Sequence, residues 1–483
     1  MDALRRLAEG CLLPGFVGTR APDWVLRRLR DGLGGAVLFG RNVVDPEQVA
    51  ALTAELHAAR LDALLAIDEE GGDVTRMEAR AGSSYPGNLA LGAAGDPDLT
   101  RAVAASLGAE LAAAGIDLDL APVADVNSNP DNPVIGVRSF GADADLVAAH
   151  VAAFVEGLQA AGVGACVKHF PGHGDTAVDS HVGLPVVAGG AEELEAALRP
   201  FRAAIAAGVR AVMTAHLVVP VLDAEPATVS RAVLTGLLRE RLGYTGLVIT
   251  DGLEMAAIRS TIGLEEGAVR ALEAGADAIC VGGGLAEEDV VDLLAGALTD
   301  AVRSGRLGEE RLAEAAGRVA AAGGATRGGA ASDRGLGLEA ARRALRATGL
   351  APLAGPPVVV ELRPAASIAV GVVPWGMGEV LRGRDPAVTV LRADGTPDLD
   401  AVAAEAAGRP LVLVVRDLHR WPAHAVAADA ILARRPDTIV VEMGLPVRRP
   451  AGARAWLDTH GAARVSAVAA ADLLVGPKER SAT

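Results

Sequence analysis

Short apolar, β-branched runs separated by stretches of helical spacing recur from the N-terminus to about residue 285. βα units produce this alternation: a strand covered on both faces reads as a continuous apolar run, and its crossover helix as a 3.6-residue period. Eight runs fit as strands: Leu12–Val17, Ala36–Phe39, Ala63–Asp68, Ile116–Ala121, Gly164–His169, Ala211–His216, Gly246–Asp251 and Asp277–Val281. Eight such units within roughly 300 residues predict a closed TIM (β/α)8 barrel rather than an open sheet. Between Ala320 and Leu336 the chain reads AAAGGATRGGAASDRGL, which has no hydrophobic period and reads as a linker. Beyond it Val358–Leu362, Ile368–Val373, Val388–Leu391, Leu411–Val415 and Thr438–Glu442 alternate with Ala-rich helical stretches. The fold class is therefore α/β: a barrel over residues 1–320, a linker over 321–337 and a smaller open α/β sandwich domain over 338–483.

Composition narrows the function. With 51% hydrophobic and 22% charged residues in 483, the chain can bury large cores and is far from the disordered regime. A net charge of -16 repels polyanions, which argues against nucleic acid and anionic membranes as partners. Cys11, Cys166 and Cys280 are widely spaced without any CxxC, so neither a disulfide framework nor a zinc knuckle is implied. The first residues make a poor secretion signal, and no uncharged run approaches the ~20 residues of a membrane span, so the expectation is a soluble, cytoplasmic protein. No G-x-G-x-x-G follows a strand of the second domain, which leaves nucleotide binding unsupported. Aromatic residues make up 2%, too few for a stacking platform, so recognition must rest on hydrogen bonds. Only Lys168 and Lys478 are lysines among 45 basic residues, which suggests that Lys168 does something a guanidinium cannot.

Polar residues collect at the C-terminal ends of the predicted barrel strands: Asp68, Glu69, Asp125, Lys168, His169, His216 and Asp251. Barrel enzymes place their chemistry on that face, although strand ends are also solvated and gather polar residues without a task. The run VKHFPGHGDTAVDSHVGL (167–184) leaves a buried-type strand and turns through Pro171, Gly172 and Gly174, which exclude a helix. Asp179 and His181 are separated by one small residue, so the carboxylate can hold one imidazole nitrogen while the other works as general acid and base. A polar turn with a solvated histidine fits the same spacing. Asp251 ends an apolar run in GLVITDGLEM, where it fits a nucleophile or general base, or the N-cap of a helix starting near Gly252.

KHFPGHGDTAVDSH, together with IDEEGG (67–72), RSFG (138–141) and TDGLEM (250–255), resembles glycoside hydrolase family 3, in its bacterial β-N-acetylglucosaminidase branch that recycles cell-wall fragments. The four motifs stand in the family's order. The resemblance implies a retaining, exo-acting β-N-acetylhexosaminidase working through a covalent glycosyl-enzyme intermediate. Asp251 would be its nucleophile, Asp179 and His181 its acid/base dyad on a mobile loop, and Asp68, Arg138, Lys168 and His169 the residues that grip terminal N-acetylglucosamine. The expected substrates are small N-acetylglucosaminides such as muropeptides, with no cofactor and no metal; oligomeric state is left open. Because an imidazole is neutral after the first half-reaction, phosphate could approach the intermediate, so a phosphorylase on the same residues is an alternative. A non-enzymatic sugar-binding protein is another, weakened by the intact Asp251, Asp179 and His181. A metal-dependent hydrolase using His169, His173, Asp175 and His181 is weakened by Lys168, which would repel a divalent cation. Two positions depart from the family pattern: Glu69 stands where Gln is expected, and Asp73 where a basic residue is common. Both add negative charge.

Overall fold

The computed structural model describes residues 2–324, 331–365, 368–371 and 373–476. Residues 325–330 of the expected linker, Val372 and Lys478 lie outside that set. All eight expected barrel strands are present: β1 (Leu12–Pro14), β2 (Gly35–Leu38), β3 (Leu64–Ile67), β4 (Leu118–Asp119), β5 (Gly164–Phe170), β6 (Ala211–Thr214), β7 (Leu247–Ile249) and β8 (Ile279–Val281). β2 to β7 run parallel in chain order, and β8 pairs with β1. The two sheets meet where the Ile249–Ala278 bridge brings β7 to β8 and where Gly34 N–H donates to Glu9 O (2.9 Å) beside β1 and β2. Alternate strand residues, among them Leu13, Val37, Ala66, Leu118, Cys166, Met213 and Ile249, converge in one buried cluster. This is the period-2 pattern expected of a filled barrel interior. Val319, from the helix Glu309–Ala322, joins the same cluster. Most strands are shorter than expected because their C-terminal residues lift off the ladder where the chain enters the mouth loops. Asp68, His216 and Asp251 all lie just past a strand end.

The chain falls into two compact units, and the boundary is not the single expected cut. The barrel unit comprises Met1–Glu70, Thr100–Ile135 and Ala142–Asp333; the second comprises Gly71–Leu99, Gly136–Gly141 and Arg334–Thr483. Two excursions from the barrel span, Gly71–Leu99 and Gly136–Gly141, fold with the C-terminal residues for local reasons. Ser83 O accepts Val465 N–H at 3.1 Å, and Asp96 pairs with Arg343 at 2.8 Å. A Cβ on Gly337 would sit 2.2 Å from Ser84 O, so only glycine lets these backbones meet.

The second unit carries a six-stranded sheet of β9 (Arg346–Thr348), β10 (Val358–Leu362), β11 (Thr389–Ala393), β12 (Leu411–Val415), β13 (Ile439–Glu442) and β14 (Ala455–Asp458). The spatial order is β11-β10-β12-β13-β14-β9, parallel except for β9. Val358, Val360, Leu411 and Leu413 pack on one face with the helix Pro422–Arg434, while Val359, Val412 and Val414 pack on the other with Arg464–Val475. Helices on both faces explain why β10 and β12 read as unbroken apolar runs. Among the described residues of the expected strand Ile368–Val373 no strand is formed: Ile368–Val370 make a turn, and Gly371 takes a φ of +73°. β9 escaped sequence reading because it is an exposed edge strand without an apolar run, and β14 because its apolar run is only Ala455–Leu457 and has no β-branched residue.

Candidate functional site

The mouth of the barrel gathers its polar side chains from strand ends that are distant in sequence. β5 delivers Lys168 and His169 side by side. Lys168 is buried, with Nζ 2.7 Å from both Asp68 Oδ1 and Glu70 Oε1, the two acids that follow β3. A compact ammonium can bridge two carboxylates in so small a space, whereas a planar guanidinium would need a wider one. His169 turns to the other side: its Nδ1 lies 2.7 Å from Oδ2 of Asp125, a fully buried residue. Oδ1 of Asp125 accepts the backbone N–H groups of His173 (2.6 Å) and His169 (3.3 Å). Burial pushes the Asp125 carboxyl up, but His169, His173 and these N–H groups outweigh it and hold it below the usual carboxylate range.

The loop after β5 holds Asp179 and His181 against each other. His181 Nδ1 is 2.7 Å from Asp179 Oδ1, which also accepts the His181 backbone N–H at 2.9 Å. Although half-burial pushes Asp179 up, the His181 ring and N–H lower it further, so it is an anion at neutral pH. The loop is pinned at Ser180, between the two: Ser180 O accepts Ala257 N–H (3.3 Å), and Ser180 Oγ lies 3.2 Å from His173 Nε2. His173 Nδ1 is in turn 2.7 Å from Thr176 Oγ1, and burial lowers its pKa to about 4, so the ring is neutral.

Asp251 lies just beyond β7, where its Oδ1 accepts the Gly252 N–H at 2.7 Å. It caps no helix, since the next one runs Ala256–Arg259 behind an N-cap at Met255. Burial raises the Asp251 pKa; His169, His216 and His181, with the Gly252 N–H, overcome that and lower it to about 2. A carboxylate ringed by three imidazoles is therefore ionised at any working pH. His216 is fully buried, its Nδ1 2.7 Å from Thr228 Oγ1 and its Nε2 3.0 Å from Gly252 O, which fixes the backbone beside Asp251.

Of the residues expected at the site, Asp68, Lys168, His169, Asp179, His181 and Asp251 all belong to the barrel unit. Arg138 belongs to the second, in a one-turn helix Gly136–Arg138 where its carbonyl accepts Asn88 Nδ2 at 2.7 Å. Sequence reading assigned no role to Glu70, named His173 only as a ligand of the alternative metal site, and gave Asp125 and His216 no task beyond their place at strand ends. Asp125 and His216 carried a signal, being polar residues at strand ends, but their partners are set by register across the barrel. Both ring nitrogens of His173 are engaged, and among the described residues no group of three His, Cys, Asp or Glu side chains is placed to hold a metal ion.

Residues 24–322 match the glycosyl hydrolase family 3 N-terminal domain. The chain belongs to that family. It is 38% identical over 320 residues to β-hexosaminidase A of Pseudoalteromonas piscicida, an alignment that covers 60% of this chain and 53% of that protein. With a β-hexosaminidase of Thiobacillus denitrificans it shares 41% over 278 residues, 56% of this chain and 77% of the relative. A solved family 3 β-N-acetylglucosaminidase from a Paenibacillus species superposes with a TM-score of 0.87 at 35% identity, covering 100% of this chain and 98% of that one.

The two departures from the family pattern have different fates. Glu69 is buried, and its N–H donates to Asp119 Oδ1 at 2.9 Å. Burial, with Glu69 and Asp68 adding to it, pushes the Asp119 carboxyl well above the usual range. Asp73 is ion-paired with Arg416 inside the second unit and accepts the Ala462 N–H at 2.8 Å, so its charge is matched rather than added to a sugar site.

Proposed function

We propose that the protein is a retaining, exo-acting β-N-acetylhexosaminidase that removes terminal non-reducing β-N-acetylglucosamine from peptidoglycan-derived fragments. The observation that carries this reading is the pairing of an ionised Asp251 with a separate, oriented Asp179–His181 couple on the same barrel mouth. An oxocarbenium-like transition state needs an anion beneath the anomeric carbon and a proton at the leaving oxygen, and these two features supply them. The relatives named β-hexosaminidases and the β-N-acetylglucosaminidase likeness supply the sugar.

In the first half-reaction Asp251 attacks the anomeric carbon while the glycosidic C–O bond breaks, and the His181 Nε2 proton passes to the departing oxygen. Asp179 accepts the Nδ1 proton, so the proton that moves is the one the charged ring carries on Nε2, and the carboxylate stabilises the ring while it is charged. In the second, the now neutral His181 takes a proton from water as its oxygen attacks the anomeric carbon and frees Asp251. Lys168 with Asp68, and His169 oriented by Asp125, hold the sugar hydroxyls. Neutral His181 also makes room for phosphate, so phosphorolysis is the second reading.

Turnover of an aryl β-N-acetylglucosaminide with and without inorganic phosphate, with analysis of the sugar released, tests both. Free N-acetylglucosamine under both conditions is the expected result. A sugar 1-phosphate would replace hydrolase by phosphorylase, and no turnover would overturn the enzymatic reading.

A further inference from the structure

The TDGLEM segment carries one acid that the proposed chemistry leaves without a task, Glu254. Its Oε1 accepts the backbone N–H groups of Gly282 (2.9 Å) and Gly284 (3.2 Å), in the turn that follows β8. Its Oε2 is buried without a hydrogen-bond partner. A buried carboxylate oxygen left unpaired costs stability, so its presence asks for a return elsewhere. Arg41, just beyond β2, holds the same turn by its carbonyls: Nη1 donates to Gly283 O at 3.0 Å, and Nη2 to Gly282 O. Nε of Arg41 donates to Phe16 O at 2.9 Å, and the guanidinium lies 4.4 Å from the centre of the Phe39 ring. The turn admits no side chains at its core: a Cβ on Gly282 would lie 2.1 Å from Gly15 N, and one on Gly283 2.9 Å from Glu254 Oε1.

Gly282–Gly284 is thus clamped by an acid from the β7 loop and a base from the β2 loop, and the acid is three residues from Asp251. Between the two, Leu253 N–H donates to Cys280 O at 3.0 Å, and His216 Nε2 lies 3.0 Å from Gly252 O. We propose that Glu254 is a positioning residue for Asp251: by tying the β7 turn to the clamped β8 turn it fixes how far the Asp251 carboxylate reaches toward the anomeric carbon. This rests on Asp251 being the nucleophile, as proposed above. A misplacement of about 1 Å is enough to cost on the order of 100-fold in rate.

Three variants test the role. Glu254→Gln keeps an acceptor oxygen for both glycine N–H groups, Glu254→Ala removes it, and Gly283→Ala leaves Glu254 in place but presses on its Oε1. With an aryl β-N-acetylglucosaminide, Glu254→Gln should stay within about threefold of wild type in kcat, while Glu254→Ala should lose roughly 10- to 100-fold in kcat with KM nearly unchanged. Gly283→Ala should lose kcat in the same sense by a smaller factor, and it decides the matter with Glu254→Gln should the alanine variant not fold. Wild-type kcat in Glu254→Ala, a loss confined to KM, or a Gln variant as impaired as the Ala variant would each overturn the proposal. Labelling of wild type by a slow fluorinated substrate separates the two levels. A label absent from Asp251 removes the nucleophile reading and this one with it; a label on Asp251 with unimpaired Glu254 variants removes this one alone.

Discussion

Asp125→Asn isolates a support that lies behind the proposed sugar-gripping histidine. In the native protein Asp125 Oδ2 faces His169 Nδ1 at 2.7 Å, while Oδ1 takes the His173 and His169 backbone N–H groups at 2.6 and 3.3 Å. An asparagine can keep its oxygen on the two N–H groups, which places its NH2 against Nδ1 and forces that nitrogen to accept. The ring must then carry its proton on Nε2 and loses its carboxylate partner. Loss of one hydrogen bond to a buried charge corresponds to about 1.5–3 kcal/mol, so kcat/KM should fall by roughly 10- to 100-fold and stability by a similar free energy. A second signature follows from the charge. Among the groups that lower the Asp251 pKa to about 2, His169 is the strongest, so disturbing the ring that Asp125 orients lets the Asp251 pKa rise. The assay is kcat/KM for an aryl β-N-acetylglucosaminide from pH 3 to pH 8, with Tm measured alongside; the variant should lose activity on the acid side at a higher pH than wild type. A variant within about twofold of wild type across the range, with an unshifted acid limb, would refute the reasoning.

Other perturbations test the neighbouring steps. His181→Ala should slow alkyl and disaccharide substrates far more than activated aryl ones, since only poor leaving groups need the proton; equal losses on both would remove His181 from the acid role. The buried, neutral His173 has a pKa of about 4 in the folded protein, below its usual 6.5, so the unfolded chain takes up its proton first as pH falls. Its stabilisation, full above pH 6.5, is lost between 6.5 and 4 and amounts to about 3 kcal/mol. Tm should therefore drop over that window, and less steeply in His173→Gln. In the second unit, Arg416→Met leaves the buried Asp73 carboxylate with only the Ala462 N–H and should destabilise by about 3 kcal/mol, whereas Arg416→Met with Asp73→Asn should recover much of that in denaturant titration.

What the chain discloses before folding depends on how local each interaction is. The eight barrel strands were legible because each is buried on both faces and bounded by turn residues. The Asp179–His181 pair was legible because two residues of separation bring the groups together in any tight turn. Asp125 and His169 are 44 residues apart in sequence, Lys168 and Asp68 100, and their pairing depends on strand register that no single segment encodes. Asp73 reads in sequence as surplus charge, yet its partner Arg416 lies 343 residues later. The same distance hid the excursion of residues 71–99 into the second unit, since its contacts with Val465, Gly337 and Arg343 come from the far end of the chain. Ile368–Val373 shows the opposite error: apolar composition suggested a strand, but Gly371 adopts a positive φ and the run turns.

The central claim is that Asp251 becomes covalently joined to the sugar. Incubation of the intact enzyme with a 5-fluoro-N-acetylglucosaminyl fluoride, followed by peptide mass spectrometry, tests it most directly. The expected result is one sugar added to the peptide that contains Thr250–Met255, localised on Asp251 and absent from Asp251→Ala. Turnover of the reagent with no adduct on that peptide, or an adduct on another carboxylate, would contradict it.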